Sequence, residues 1–187
     1  MGPQASTAGK PTKEMQALSK STNFSIEEIA ALNARFQSIA ENQFIKEQGF
    51  PKLLKLNNPY IAKRVFDAFN KDNNANGISF NNFTTGLSDF SPRASVEQRA
   101  GFVFRVYDIK KANAVSKDNL REIFNGILQS QKSIALPKPA IDKLIDDTFS
   151  AIAPSKNQIT LPEFQAAAIA NPQILSLISL STDGLFI

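Results

Sequence analysis

Aspartate, glutamate, lysine and tyrosine are the side chains left in this sequence to carry acid–base or nucleophilic chemistry. The 187 residues contain no cysteine and no histidine. Disulfides, zinc sites of the usual ligand types, thiol nucleophiles and Ser-His-Asp triads are therefore excluded. The 17 acidic and 21 basic residues leave a net charge of +4. The basic residues are dispersed, as on a solvated mixed surface rather than a nucleic-acid patch, which would need clustering. This points away from an enzyme.

One short apolar step does recur. NGISFNNF (76–83), NAVSKDNL (113–120) and NQITLPEF (157–164) all fit Asn-x-[Ile/Val]-[Ser/Thr]-x-x-x-[Phe/Leu]. Each copy sits between two stretches of helical periodicity. A lone β-branched residue is too short to be a strand by itself. It makes sense if two such steps pair antiparallel and cover each other's backbone groups.

The flanking elements read as helices. Ser25 and Glu28 form a capping box, with Phe24 and Ile29 as a hydrophobic staple, before the stripe Ile29, Leu32, Phe36, Ile39. Asn58-Pro59 is an N-cap followed by Pro at the first helical position. Further helices carry Phe80 to Phe90, Val96 to Val106 after a Ser95/Gln98 cap, Leu120 to Leu128, Ile141 to Ile152, and Phe164 to Ile169. Fifteen Phe against two Tyr and no Trp predict a Phe-rich core. Residues 1–23 are polar and read as a mobile tail. They begin Met1-Gly2-Pro3-Gln4-Ala5-Ser6, which fits the loose acylation pattern at Gly2. One acyl chain would give only marginal membrane binding, about 10⁴ M⁻¹. No run approaches the roughly 18 apolar residues of a membrane span. A cytoplasmic location is expected.

Five stretches in register carry a family resemblance: FSIEEIAALNARF (24–36), NPYIAKRVFDAF (58–69), ISFNNFTTGLSDFS (78–91), FVFRVYDI (102–109) and ITLPEF (159–164). They resemble the EF-hand calcium-sensor superfamily, and within it the branch of calcineurin B and the calcium-and-integrin-binding proteins. The resemblance implies an all-α fold with four helix-loop-helix hands in two lobes, joined by short antiparallel β contacts. It also implies a hydrophobic groove that takes a helix of a partner protein, and in many members an N-terminal myristoyl group. The expected division is a tail at 1–23, an N-terminal lobe at 24–92, a C-terminal lobe at 93–170 and an apolar tail at 171–187.

The loops depart from the family pattern. A calcium loop places side-chain oxygens at positions 1, 3, 5 and 12, with Glu at 12 and Gly at 6. The first loop, within 39–50, has no Asp. In the second, Asp72, Asn74, Asn76 and Gly77 mimic positions 1, 3, 5 and 6, but Ile78 arrives one residue early; counting back from Phe83 instead puts Lys71 at position 1. Position 12 is Asn82 in either count. The third keeps Asp108 but has Lys110, Ala112 and Asn119 at positions 3, 5 and 12. The fourth keeps Glu163 at position 12, after Ile152, Pro154 and Lys156. Asp72, Asn74, Asn76, Asp108 and Glu163 are thus weak metal candidates, and no calcium or other cofactor is expected. The expected function is a non-catalytic, calcium-independent adapter or structural subunit of a hetero-complex. Ile123, Ile127, Leu128, Leu175 and Ile178 are its candidate groove for an amphipathic partner helix. The C-terminal tail could itself fill that groove. Two alternatives stand beside this: a calcium-dependent regulatory subunit of a calcineurin-like phosphatase, and a component of a cytoskeletal or axonemal assembly.

Overall fold

A computed structural model describes residues 11–130, 137–153 and 157–177. Among them the helices are α1 (Lys13–Ser21), α2 (Ile26–Gln37), α3 (Phe50–Leu53), α4 (Pro59–Phe69), α5 (Phe80–Phe90), α6 (Val96–Tyr107), α7 (Lys117–Ser130), α8 (Lys138–Ile152) and α9 (Leu161–Ala170). A 3₁₀ helix covers Pro172–Leu177, and two short strands are β1 (Ala114–Ser116) and β2 (Gln158–Thr160).

Local sequence sets the helix starts. Ser25 and Glu28 close a reciprocal capping box on α2, and Ser95 and Gln98 close another on α6. The Asn58 side chain accepts from Ile61 N, and Ser79 accepts from Asn82 N. Each cap satisfies an N–H that the first turn of the helix leaves without a partner.

The tail expected over 1–23 is in fact helical from Lys13 to Ser21, with Leu18 buried. Thr12 caps α1 by accepting from Met15 N. Met15 and Leu18 lie three residues apart, which puts both on one face. A two-residue apolar signal in a polar segment is too sparse to read as a helix before its docking surface is known.

The repeated step behaves as its pattern predicts. β1 and β2 pair antiparallel, with Val115 opposite Ile159. Ile78, from the remaining copy, exchanges both backbone hydrogen bonds with Ile45 at 2.9 and 3.0 Å. The four hands are therefore zipped two by two, through buried Ile45–Ile78 and Val115–Ile159.

One continuous core joins both halves. Phe69 is its hub. Its ring centroid lies 5.1 Å from Phe50, 6.4 Å from Phe83 and 5.1 Å from Phe102 of the other half. Helix α4 packs on α6 and α7, and α5 packs on α6. An exchange of arginines crosses the same seam. Arg64 donates through Nε and Nη2 to the Val106 carbonyl at 3.1 and 3.0 Å. Arg105 donates through Nε to the Ala68 carbonyl at 3.3 Å. Both acceptors lie in the last turn of a helix, where a carbonyl lacks its intrahelical partner.

Candidate functional site

Two features have the makings of a site: the loops between paired helices, and an apolar cavity in the C-terminal half.

The second loop begins at Asn70, one residue before the count that starts at Lys71 and two before the count that starts at Asp72. Asn70 caps the end of α4, as Asp108 caps α6. Asn70 Oδ1 accepts from Asn74 N at 3.1 Å, and its Nδ2 donates to Asn74 O at 2.9 Å. The loop from Asn70 to Asn82 thus holds one residue more than a twelve-residue hand, and that extra residue is why Ile78 looks misplaced. The signal was available: Asn70 follows FDAF as Asp108 follows FRVY.

The candidate ligands of this loop are engaged with the loop itself. Asn74 Oδ1 accepts from Asn76 N at 2.9 Å. Asp72 Oδ2 accepts from the Asn82 amide nitrogen at 2.8 Å, and Asn82 is buried. The Lys46 ammonium, from the first loop, donates to the Asn76 carbonyl at 2.7 Å. Nothing local in the sequence points to Lys46, because its role depends on the Ile45–Ile78 pairing.

In the third loop Asp108 is buried. Its Oδ1 accepts from Ala112 N at 2.9 Å and its Oδ2 from Asn113 N at 2.7 Å. Lys111 and Asn113 take left-handed backbone angles, φ 52° and 55°, and the Lys111 ammonium bonds Asn73 Oδ1 of the second loop. Asn119 Oδ1 turns to Ser116, accepting from its N and its Oγ, both at 2.9 Å. In the fourth hand Glu163 Oε2 accepts from Thr160 N at 2.8 Å and from Thr160 Oγ1 at 2.7 Å. Glu163 therefore closes a capping box on α9. Among the described residues, no three Asp or Glu side chains gather around one point.

The cavity measures about 280 Å³. Tyr107, Leu120, Phe124, Ile152, Phe164 and Ile174 line it, so α6, α7, α8, α9 and the 3₁₀ helix all contribute. Val115 and Ile159 of the paired strands also reach it. Burial pushes the Tyr107 hydroxyl well above the usual tyrosine range, so it stays neutral there. The expected groove residues fall beside this cavity rather than in its wall. Ile123 and Leu175 are buried in the core, and Ile127 and Leu128 are half-buried against it. Leu120 and Phe124 are the α7 side chains that face the opening. Choosing among the apolar residues of α7 needs the positions of α8 and α9, which helical periodicity does not supply. Ile178 and Gly2 lie outside the described residues.

Known proteins are similar to this chain in sequence over most of its length. The calcineurin B protein of Candida glabrata is 30% identical over 84% of this chain and 89% of that protein. The chain belongs to the calcineurin B family. The calcineurin B protein of Yarrowia lipolytica is 27% identical, over 82% of this chain and 87% of that one. Calcineurin B-like protein 5 of Arabidopsis thaliana is 24% identical over 75% and 72%. No protein-family model matches the sequence. The family membership and the paired helix-loop-helix units together make this a calcineurin B-like EF-hand fold. No helix among the described residues is long and apolar enough to cross a membrane.

Proposed function

We propose that this chain is a non-catalytic EF-hand subunit that holds an amphipathic helix of a partner protein in the C-terminal cavity, without needing calcium. The observation that carries the reading is the inward use of the loop oxygens. Calcium takes six to eight oxygens, with charged carboxylates setting the affinity. Here Asn82 offers an amide N–H to Asp72, Glu163 is spent on its helix cap, and an ammonium sits on the Asn76 carbonyl. Lys110 and Ala112 stand at positions 3 and 5 of the third loop. The residues present do not fit a divalent ion, and the loops keep their shape by internal hydrogen bonds.

A sensor needs two states and an ion that favours one of them. Without the ion the fold stays in one state, and binding depends on packing alone. The open apolar cavity, rimmed by Thr148, Asn171 and Gln173, suits the anchor side chains of a helix with apolar residues at i, i+3/4 and i+7. The name shared by the relatives, a subunit of calcineurin, supports a place in a hetero-complex. Acylation at Gly2 would add a peripheral membrane contact, read by the intact mass.

The test has two arms. Calorimetry with calcium on the full chain gives no heat at micromolar affinity. Affinity purification in chelator and in calcium captures the same partner chain, and Phe124→Asp abolishes that capture. Calcium binding at micromolar levels, or capture that requires calcium, would establish the calcium-dependent regulator in its place.

A further inference from the structure

Tyr107, the last residue of α6, lines the C-terminal cavity and is only 4% exposed. Its ring packs edge-on against Phe164, with centroids 6.2 Å apart and planes at 62°. Burial holds the hydroxyl neutral, so it keeps a proton to donate and lone pairs to accept with. Among the described residues, nothing hydrogen-bonds that hydroxyl. A buried tyrosine hydroxyl usually has a partner, because leaving it unpaired among apolar groups costs free energy. The polar groups of the rim are already engaged. Thr148 Oγ1 donates to the Leu144 carbonyl at 2.7 Å, and Asn171 Oδ1 accepts from Gln173 N at 3.2 Å. Tyr107 is therefore an unpaired polar group in a largely apolar wall.

Size and wall chemistry narrow what can sit against it. At about 280 Å³ the cavity falls just below the roughly 300–1,000 Å³ of small-molecule pockets, so it suits a group the size of a side chain. Tyr107, Phe124 and Phe164 bring three rings to it, and rings favour edge-to-face or offset contact with another ring. A phenylalanine or aliphatic anchor leaves the Tyr107 hydroxyl unpaired. An indole N–H can only donate, and a side-chain amide carries more polar atoms than one hydroxyl can satisfy. A second hydroxyl both donates and accepts, so it pairs with Tyr107 in either direction. We propose that the cavity selects an aromatic ring bearing a hydroxyl, the tyrosine side chain of a partner helix, and that Tyr107 is the residue that recognises that hydroxyl. This rests on the helix-binding reading above and names the anchor the cavity takes. A site with a buried hydrogen-bonding group rejects the analogue lacking the matching hydroxyl, because the group is then left unpaired.

The probes are p-cresol, the side chain of tyrosine, and toluene, the side chain of phenylalanine. Both are titrated by NMR into the full chain and into its Tyr107→Phe variant, which removes one oxygen and keeps the ring. The variant loses at least about tenfold in p-cresol affinity, while its toluene affinity is unchanged or higher. In the wild type, NOE contacts run from the p-cresol ring to Phe124 and Phe164, a readout that needs no variant. Equal p-cresol affinity in the two proteins, contacts to other residues only, or no p-cresol binding would overturn the proposal. The partner captured by affinity purification reports on the anchor itself. Its affinity falls by at least about tenfold for Tyr107→Phe. A partner helix held as well or better by Tyr107→Phe would overturn the tyrosine anchor while leaving helix capture intact. The p-cresol titration needs no partner, so it can succeed where helix capture fails, and the reverse.

Discussion

Gly77 sits at φ 115°, and a Cβ placed there would fall 2.3 Å from the Ile45 carbonyl oxygen. That oxygen accepts from Ile78 N in the bridge that zips the first two hands. Gly77→Ala is expected to destabilise the chain by about 1–3 kcal/mol in urea unfolding, since it combines backbone strain with a broken bridge. Asp108 gives a sharper test. Its carboxylate satisfies the N–H groups of Ala112 and Asn113, two exposed residues that water can reach, so removing it costs about the net worth of a hydrogen bond, about 0.5–1.5 kcal/mol each. Asp108→Ala should lower stability by about that amount equally in chelator and in calcium; a loss seen only in calcium would mark the residue as a metal ligand. Glu28 supplies a pH effect. The Arg93 guanidinium and the Ser25 N–H hold its carboxyl below the usual value. A depressed carboxylate stabilises the fold above its unfolded-state pKa, and that contribution fades as pH falls through the folded-state value. Acid unfolding of Glu28→Gln should therefore differ from wild type near neutrality and converge with it in strong acid. The effect is small, because the Glu28–Arg93 pair is partly exposed to water. Of these residues, Gly77 and Asp108 were visible in the sequence as turn and ligand types. Asn70 was legible as well, following FDAF as Asp108 follows FRVY, whereas Lys46 was not, because its role depends on a partner 30 residues away.

At the scale of elements, the seam between α4 and α7 turns on Gly126. A Cβ there would meet the Tyr60 ring at 2.3 to 2.6 Å. Tyr60 also donates to Glu122 at 3.1 Å across the same seam, and its phenol is pushed up to about 12, first by burial and then by the Glu122 charge. Ala is better than Gly in a helix by about 1 kcal/mol. Overpacking against an aromatic ring costs about 1–3 kcal/mol. Gly126→Ala is thus expected to lower the melting temperature in the wild type and to raise it in a Tyr60→Ala background. The change of sign, read from a double-mutant cycle, isolates the ring contact. Helix existence was legible here from period and caps. Helix α1 was not, since two apolar residues in nine specify a helix only once α2 and α5 present a surface.

At the scale of the whole molecule, the two halves behave as one body because arginines and phenylalanines cross the seam. Arg64 is buried, bonds the Val106 carbonyl twice and pairs with Asp67 at 3.0 Å. Removing it takes both donors from a buried carbonyl and leaves Asp67 with Lys63 as its cation. Arg64→Met is expected to cost about 2–4 kcal/mol and to split the amide-exchange pattern, with the two halves opening separately. Arg105→Met, at a half-exposed site, should do the same more weakly. A single cooperative opening in both variants would leave the Phe69–Phe102 packing as the tie between the halves.

The sequence alone determined the helical hands, their order and the paired apolar steps, because caps, turns and periodicity are local and the 3.6-residue repeat marks a buried face without further help. It also showed that the loops hold few carboxylates. Tertiary structure decided the rest. Which apolar residues of α7 face an opening, that Lys46 and Lys111 reach the second loop, and whether the polar segment before α2 folds into a helix all depend on partners far away in the chain. Such contacts carry no local signal, since the free energy that selects them is the burial and hydrogen bonding that appear only once the elements have packed.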